Sequence, residues 1–132
     1  MSEHHGSNIL IIKDDRLFRY LFERKFKSRG CNARAAKNGE EGLAMMRASK
    51  PDLVLLDLIM PVMNGFEVLK EMRADKSLKD IPVVILSVLG QDNDIKEAKK
   101  LGAIDYIVKS TLSMDEAMDR IAKHCPSPPP SS

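Results

Sequence analysis

Long hydrophobic runs are missing from these 132 residues. No apolar stretch approaches the ~20 residues that a membrane-spanning helix needs. The polar start, Met-Ser-Glu-His-His-Gly-Ser, has no signal-peptide hydrophobic region. Both absences point to a soluble cytoplasmic protein. Cysteine is scarce. Cys31 and Cys125 lie far apart and form no CxxC pair, so free thiols are expected rather than a disulfide or a metal site. His4 and His5 are too few and too near the terminus to suggest a metal site. Charge of one sign is not in excess either: the net charge is +2, with acids and bases mixed along the chain. The densest basic run, Arg24, Lys25, Lys27 and Arg29, falls at the end of a predicted helix, where cations complement the helix dipole. No broad basic face results, which argues against direct nucleic-acid binding.

What is present suits one domain with one core: 43% of the residues are hydrophobic. Residues 1–7 read as a disordered leader, 8–124 as the domain, and 125–132 as a Pro/Ser-rich tail or linker. Within the domain, short apolar runs alternate with helical patterns. Ile9 to Ile12, Leu53 to Leu56 and Val83 to Leu86 are too short for helices and read as strands buried on both faces. Cys31 to Ala36 is a weaker strand, and Ile104 to Val108 is the last. Between them, Leu17, Phe18, Leu21, Phe22 and Phe26 recur at helical spacing over Arg16 to Arg29, and Gly30 stops that helix. Asn38 with Glu41, Asn64 with Glu67, and Ser113 with Glu116 read as capping boxes opening three more helices. Leu43, Met45, Met46, Phe66, Leu69 and Met72 are expected to face the core. Asp92 to Leu101 is a further helix. Five strands and five helices in alternation predict an α/β fold, a doubly wound parallel sheet covered on both faces, with 2-1-3-4-5 the usual strand order at this length.

In such a sheet the carboxyl ends of the strands share one edge, where ligands bind. The first strand ends in Asp14 and Asp15, the third in Asp57, the fourth in Ser87 and the fifth in Lys109. Each alone has an ordinary explanation: Asp15 as the N-cap of the first helix, Ser87 bonding its own backbone, Lys109 as a solvated loop lysine. Together they place three carboxylates, a hydroxyl and an ammonium on one edge. Clustered carboxylates ask for a cation, and an open all-oxygen site suits Mg²⁺. Lys109 supplies a point charge for a phosphate oxygen, Ser87 a hydrogen bond, and Asp57 a nucleophile able to form an aspartyl phosphate. These are the parts of phosphoryl transfer.

The sequence resembles the receiver domain of two-component response regulators over about Asn8 to His124. The motifs that carry the resemblance are Asp14-Asp15, Asp57-Leu58-Ile59-Met60-Pro61 with Gly65, Ser87, and Lys109 with Tyr106 three residues before it. The resemblance implies a flavodoxin-like fold and Mg²⁺ held by Asp14, Asp15, Asp57 and the backbone carbonyl of Ile59. It implies a phosphoryl group taken from a phosphohistidine on a sensor kinase or phosphotransfer protein, and switch roles for Ser87 and Tyr106. The face built from the fourth helix, fifth strand and fifth helix would then change protein partners. Such a protein is a signalling module, catalysing only its own phosphorylation and dephosphorylation, and a monomer or phosphorylation-dependent dimer.

Two departures from the family pattern stand out. Ser110 follows Lys109 where proline is usual, so the Lys109–Ser110 bond is expected to be trans with a changed loop, or strained. Ile59 and Leu89, which flank the phosphorylation site in the family, are both apolar, and are expected to slow attack of water on the phosphoryl group. Other readings are a non-phosphorylated interaction domain of the same fold, a hydrolase working through an aspartyl phosphate, and a flavin-binding protein. The intact acid, hydroxyl and lysine set opposes the first. The hydrolase lacks a cap segment, and Asp14-Asp15 would repel a flavin phosphate. No output domain follows His124 in this sequence, which fits a stand-alone regulator or a linker cut from a longer chain.

Overall fold

Alternate side chains of a strand point to opposite faces, and β1 (Asn8–Ile12) shows what that does here. Leu10 and Ile12 enter one hydrophobic cluster while Ile9 and Ile11 enter another. The chain therefore builds two cores back to back across a single sheet. In the computed structural model, which describes residues 7–125, β1 pairs with β2 (Asn32–Ala36) on one side and β3 (Leu53–Leu56) on the other. Beyond them lie β4 (Val83–Ser87) and β5 (Asp105–Val108), all parallel, in the order β2-β1-β3-β4-β5. The expected fold is the observed one.

Helices α1 (Arg16–Ser28) and α5 (Met114–Ala122) cover one face. Phe18, Phe22 and Phe26 of α1 pack there with Met118 and Ile121 of α5, and Phe18 stacks on Phe22 at 4.5 Å between centroids. Helices α2 (Gly39–Ala48), α3 (Gly65–Ala74) and α4 (Asp92–Lys100) cover the other, with Leu43, Met46, Val68, Leu69, Met72 and Ala98. Not every apolar residue of α1 and α3 turns inward, and the expected burial of Phe66 needs correction. Leu17 is 63% exposed and Leu21 is also on the surface, because three phenylalanines at i, i+4 and i+8 already fill the inward stripe. In α3 the buried positions are Val68, Leu69 and Met72, and Phe66 is only half-buried.

The helix starts follow their side-chain chemistry. Asn64 with Glu67 and Ser113 with Glu116 form full capping boxes, each side chain bonding the other's backbone N–H. At α2 the box is incomplete: Asn38 accepts from the Glu41 N–H, but Glu41 reaches back to Lys37 instead. Gly30 closes α1 with φ +84°, the left-handed region where glycine has no steric penalty.

The expected leader and tail fall largely on residues 1–6 and 126–132, outside the described residues. Ser7, counted with the leader, is buried, and its carbonyl accepts the Asn32 N–H at 3.0 Å, extending the β1–β2 pairing by one step. Cys31 and Cys125 are free thiols that pack against the α1/α5 core. Burial pushes the Cys125 thiol up to about 11.

Candidate functional site

The predicted residues lie at the strand carboxyl ends, and of the predicted acids Asp14 and Asp57 are brought together through a shared cation. β1 and β3 are paired as far as Ile12 and Leu56, and the Asp57 N–H bonds the Ile12 carbonyl at 3.2 Å. That last rung sets Asp57 beside residue 13. At the other end of the row, the Lys109 N–H bonds the Ser87 carbonyl at 2.7 Å, tying the end of β5 to the end of β4. The Asp57 carboxylate is only 4% exposed. A buried carboxylate needs a charged partner or it would be strongly destabilising.

The partner is Lys13, a residue that the sequence did not single out. Its Nζ donates to Asp57 Oδ2 and lies 3.6 Å from Asp14 Oδ1, so one ammonium is shared by two of the expected acids. Burial works against the Lys13 charge. The Asp57 and Asp14 carboxylates more than offset it, and the Lys13 pKa is raised overall. A signal was available. Lys13 directly follows the apolar run of the first strand, and parallel pairing of the first and third strands sets position 13 next to position 57.

Lys109, expected to serve the phosphate, has its Nζ over the Phe18 ring, 4.8 Å from the centroid. Lys13 Nζ lies 5.7 Å from the same centroid. Lys109 forms no ion pair with an acid among the described residues. Its aim at Asp57 is therefore not made in this state, although its backbone sits on the correct edge. All peptide bonds among the described residues are trans, Lys109–Ser110 included. The chain turns after it through Thr111, whose N–H and Oγ1 both bond the Val108 carbonyl.

Asp15 does what its simplest reading said: it caps α1. Its Oδ1 accepts from the N–H groups of Leu17 at 2.9 Å and Phe18 at 3.2 Å. The bonds to the Phe18 and Leu17 backbone, with Lys13 and Lys109 nearby, hold its carboxyl below the usual range. Both bonds use Oδ1, so Oδ2 remains uncommitted among the described residues.

Ser87 and Tyr106 belong to the face covered by α2, α3 and α4. Ser87 is buried, and its Oγ accepts the Leu89 N–H at 3.3 Å, which leaves the hydroxyl proton for another acceptor. Tyr106 already points inward, and its hydroxyl donates to the Leu89 carbonyl at 2.6 Å. Burial, reinforced by Asp94 and Asp57, pushes its phenol up to about 12. Ile59 is 47% exposed beside the site, while Leu89 turns toward the core. Of the two expected apolar shields, only Ile59 stands at the surface.

Sequence reasoning also missed a charged cluster on α5. Asp105 of β5 is buried and takes bonds from Arg120 Nε at 2.8 Å and Nη2 at 2.5 Å, with His124 Nε2 at 2.9 Å. Arg120 Nη2 also reaches the Tyr106 carbonyl at 3.3 Å. Burial alone would raise the Asp105 pKa, but these partners and the Tyr106 N–H bring it to about 2.

The donor set can be tested against a divalent cation. Asp14 and Asp57 already share one cation, Asp15 Oδ2 is uncommitted, and the donors offered are oxygens. No ready-made cage of three acidic, histidine or cysteine side chains exists among the described residues. The Asp14 and Asp57 oxygens suit a hard ion such as Mg²⁺ that keeps several waters, but here the Lys13 ammonium holds that place. No helix among the described residues is long and apolar enough to cross a membrane.

Known proteins resemble this chain in sequence and in fold. The family model for the response regulator receiver domain matches residues 9–122. Protein PilH of Pseudomonas aeruginosa is 35% identical over 103 residues, covering 78% of this chain and 85% of PilH. Sporulation initiation phosphotransferase F of Bacillus subtilis is 36% identical over 121 residues, covering 92% and 95%. The structure of the Francisella response regulator 1452 receiver domain superposes with a TM-score of 0.82 at 28% identity, covering 90% of this chain and 96% of that one.

Proposed function

Since this chain belongs to the response regulator receiver domain family, we propose that it accepts a phosphoryl group onto Asp57 and thereby switches protein partners. The donor would be a phosphohistidine on a sensor histidine kinase or phosphotransfer protein. The observation that carries the proposal is a buried carboxylate at the end of β3 facing a shared cation and a second acid, on the ligand-binding edge of a parallel sheet. The name of the Bacillus subtilis relative, a phosphotransferase, lends support.

Each residue has a distinct part. An Asp57 carboxylate oxygen attacks phosphorus as the bond to the imidazole nitrogen breaks, and the histidine keeps the electron pair. Mg²⁺, held by Asp14, Asp15, Asp57 and the Ile59 carbonyl, would neutralise phosphoryl oxygens. Ser87 has a hydroxyl proton to donate, its oxygen already accepting the Leu89 N–H. Lys109 leaves the ring of Phe18 to meet the phosphoryl charge; a cation–π contact of ~1 kcal/mol does not hold it back.

The readout lies on the α4, β5 and α5 face. Tyr106, bonded to the β4–α4 loop, and Arg120, bonded to both Asp105 and Tyr106, join that face to the site. A new charge at Asp57 shifts this arrangement only through its different interaction with the two states. The chain would act as a signalling module with no turnover on a diffusible substrate, without contacting nucleic acid or membrane itself. Nothing observed favours the non-phosphorylated alternative.

The test is direct. The protein is mixed with Mg²⁺ and acetyl phosphate, and its intact mass is measured. A phosphate adduct that disappears in Asp57→Asn is expected. No adduct on the unaltered chain overturns the proposal.

A further inference from the structure

We infer that Lys13 is a resident counter-ion that occupies the acidic site before any divalent cation does, and so sets the affinity of this domain for that cation. The inference rests on the reading of Asp14 and Asp57 as cation ligands. Its basis is the arrangement of three side chains. Lys13 Nζ bonds the buried Asp57 carboxylate and stands 3.6 Å from Asp14. The two acids that would bind an incoming ion are thus already neutralised in part by a charge covalently attached to the chain. The Lys13 side chain is itself largely shielded from water, at 17% exposure, so the pairing is poorly screened by solvent.

A divalent ion and an ammonium cannot both sit within a few ångströms of one carboxylate without strong repulsion. Binding of the ion therefore requires Lys13 to leave. The domain would bind divalent cations more weakly than the same site would without this lysine. Asp57 would in exchange stay paired, and its loop ordered, when the ion is scarce.

Isothermal titration of MgCl₂ into the full chain, without phosphodonor, tests this. The proteins are the unaltered chain, Lys13→Met and Lys13→Arg. Removing the charge in Lys13→Met should tighten Mg²⁺ binding at least about fivefold, while Lys13→Arg should stay within about twofold of the unaltered chain. Far-UV circular dichroism and a thermal melt establish folding, and Lys13→Gln serves if the methionine variant fails to fold. A smaller gain, a weaker affinity, or no Mg²⁺ binding by any of the proteins overturns the inference. The phosphate adduct at Asp57 is read separately by mass. An adduct with unchanged Mg²⁺ affinity sinks the counter-ion role and leaves the receiver reading intact. Tighter binding without an adduct does the reverse.

Discussion

The Tyr106 hydroxyl donates to the Leu89 carbonyl at 2.6 Å, fastening the middle of β5 to the loop that follows Ser87. This bond closes the β4–α4 loop while the ring is buried. Tyr106→Phe keeps the ring and removes the bond. Its expected cost is ~1 kcal/mol, read by urea denaturation. Backbone amides of Val88 to Gly90 should exchange with deuterium faster than in the unaltered chain. Unchanged exchange there would show that the bond does not order the loop.

Asp15 has two separable tasks. As a helix cap it needs a short side-chain oxygen, which asparagine also provides; as a cation ligand it needs charge. Asp15→Asn should hold thermal stability near that of the unaltered chain while weakening Mg²⁺ binding. Asp15→Ala should lose both, the stability by ~1 kcal/mol. Equal Mg²⁺ affinity in Asp15→Asn would confine the residue to capping.

Gly65 leaves no room for a side chain. A Cβ there would collide with the Asp57 carbonyl oxygen and come within 2.7 Å of Leu58 Cα, both backbone atoms. Gly65→Ala must therefore move the segment that carries Asp57. A loss of ~1–3 kcal/mol in denaturation is expected, of the size seen for overpacking. A marked fall in the rate of phosphorylation by acetyl phosphate should accompany it.

The Asp105 cluster gives the fold an acid-sensitive clamp. The carboxyl is held near 2 when folded, below its value in an unfolded chain, so its contribution is present above pH ~4 and lost as pH falls through ~2. The contribution is on the order of 2 kcal/mol. Asp105→Asn should flatten stability against pH between those limits, compared with the unaltered chain in urea titrations. Parallel curves for the two proteins would reject the clamp.

Ile59, two residues after Asp57, is exposed, while Leu89 packs inward. Ile59→Asn should shorten the phosphoryl lifetime several-fold by admitting an oriented water. Leu89→Asn should act mainly through stability. Lifetimes are read from decay of the mass adduct after donor removal.

Much of this arrangement was legible before any coordinates. Short apolar runs ending near Asp14-Asp15, Asp57, Ser87 and Lys109 mark the strands and their shared edge, because periodicity acts on the backbone; the strand order is the usual one for such a chain. Side-chain aim was less legible. Lys109 rests on Phe18, and its direction depends on rotamers and on a neighbour far away in sequence. The outward turn of Leu17 and Leu21 was hidden because two apolar stripes compete on α1 and ring volume decides which is buried. Lys13 was missed for a different reason: a charge beside charged residues reads as surface, unless the register that brings it to Asp57 is worked out.

That register has a consequence of its own. Asp57 follows immediately after the Ile12–Leu56 rung. A slip of one residue between these strands would send the carboxylate to the opposite side of the sheet. A misaligned molecule would still display nearly all its helices and strands to a spectrometer that counts secondary structure, yet it would be chemically silent. On the function proposed above, phosphorylation would report correct strand alignment sooner than shape does.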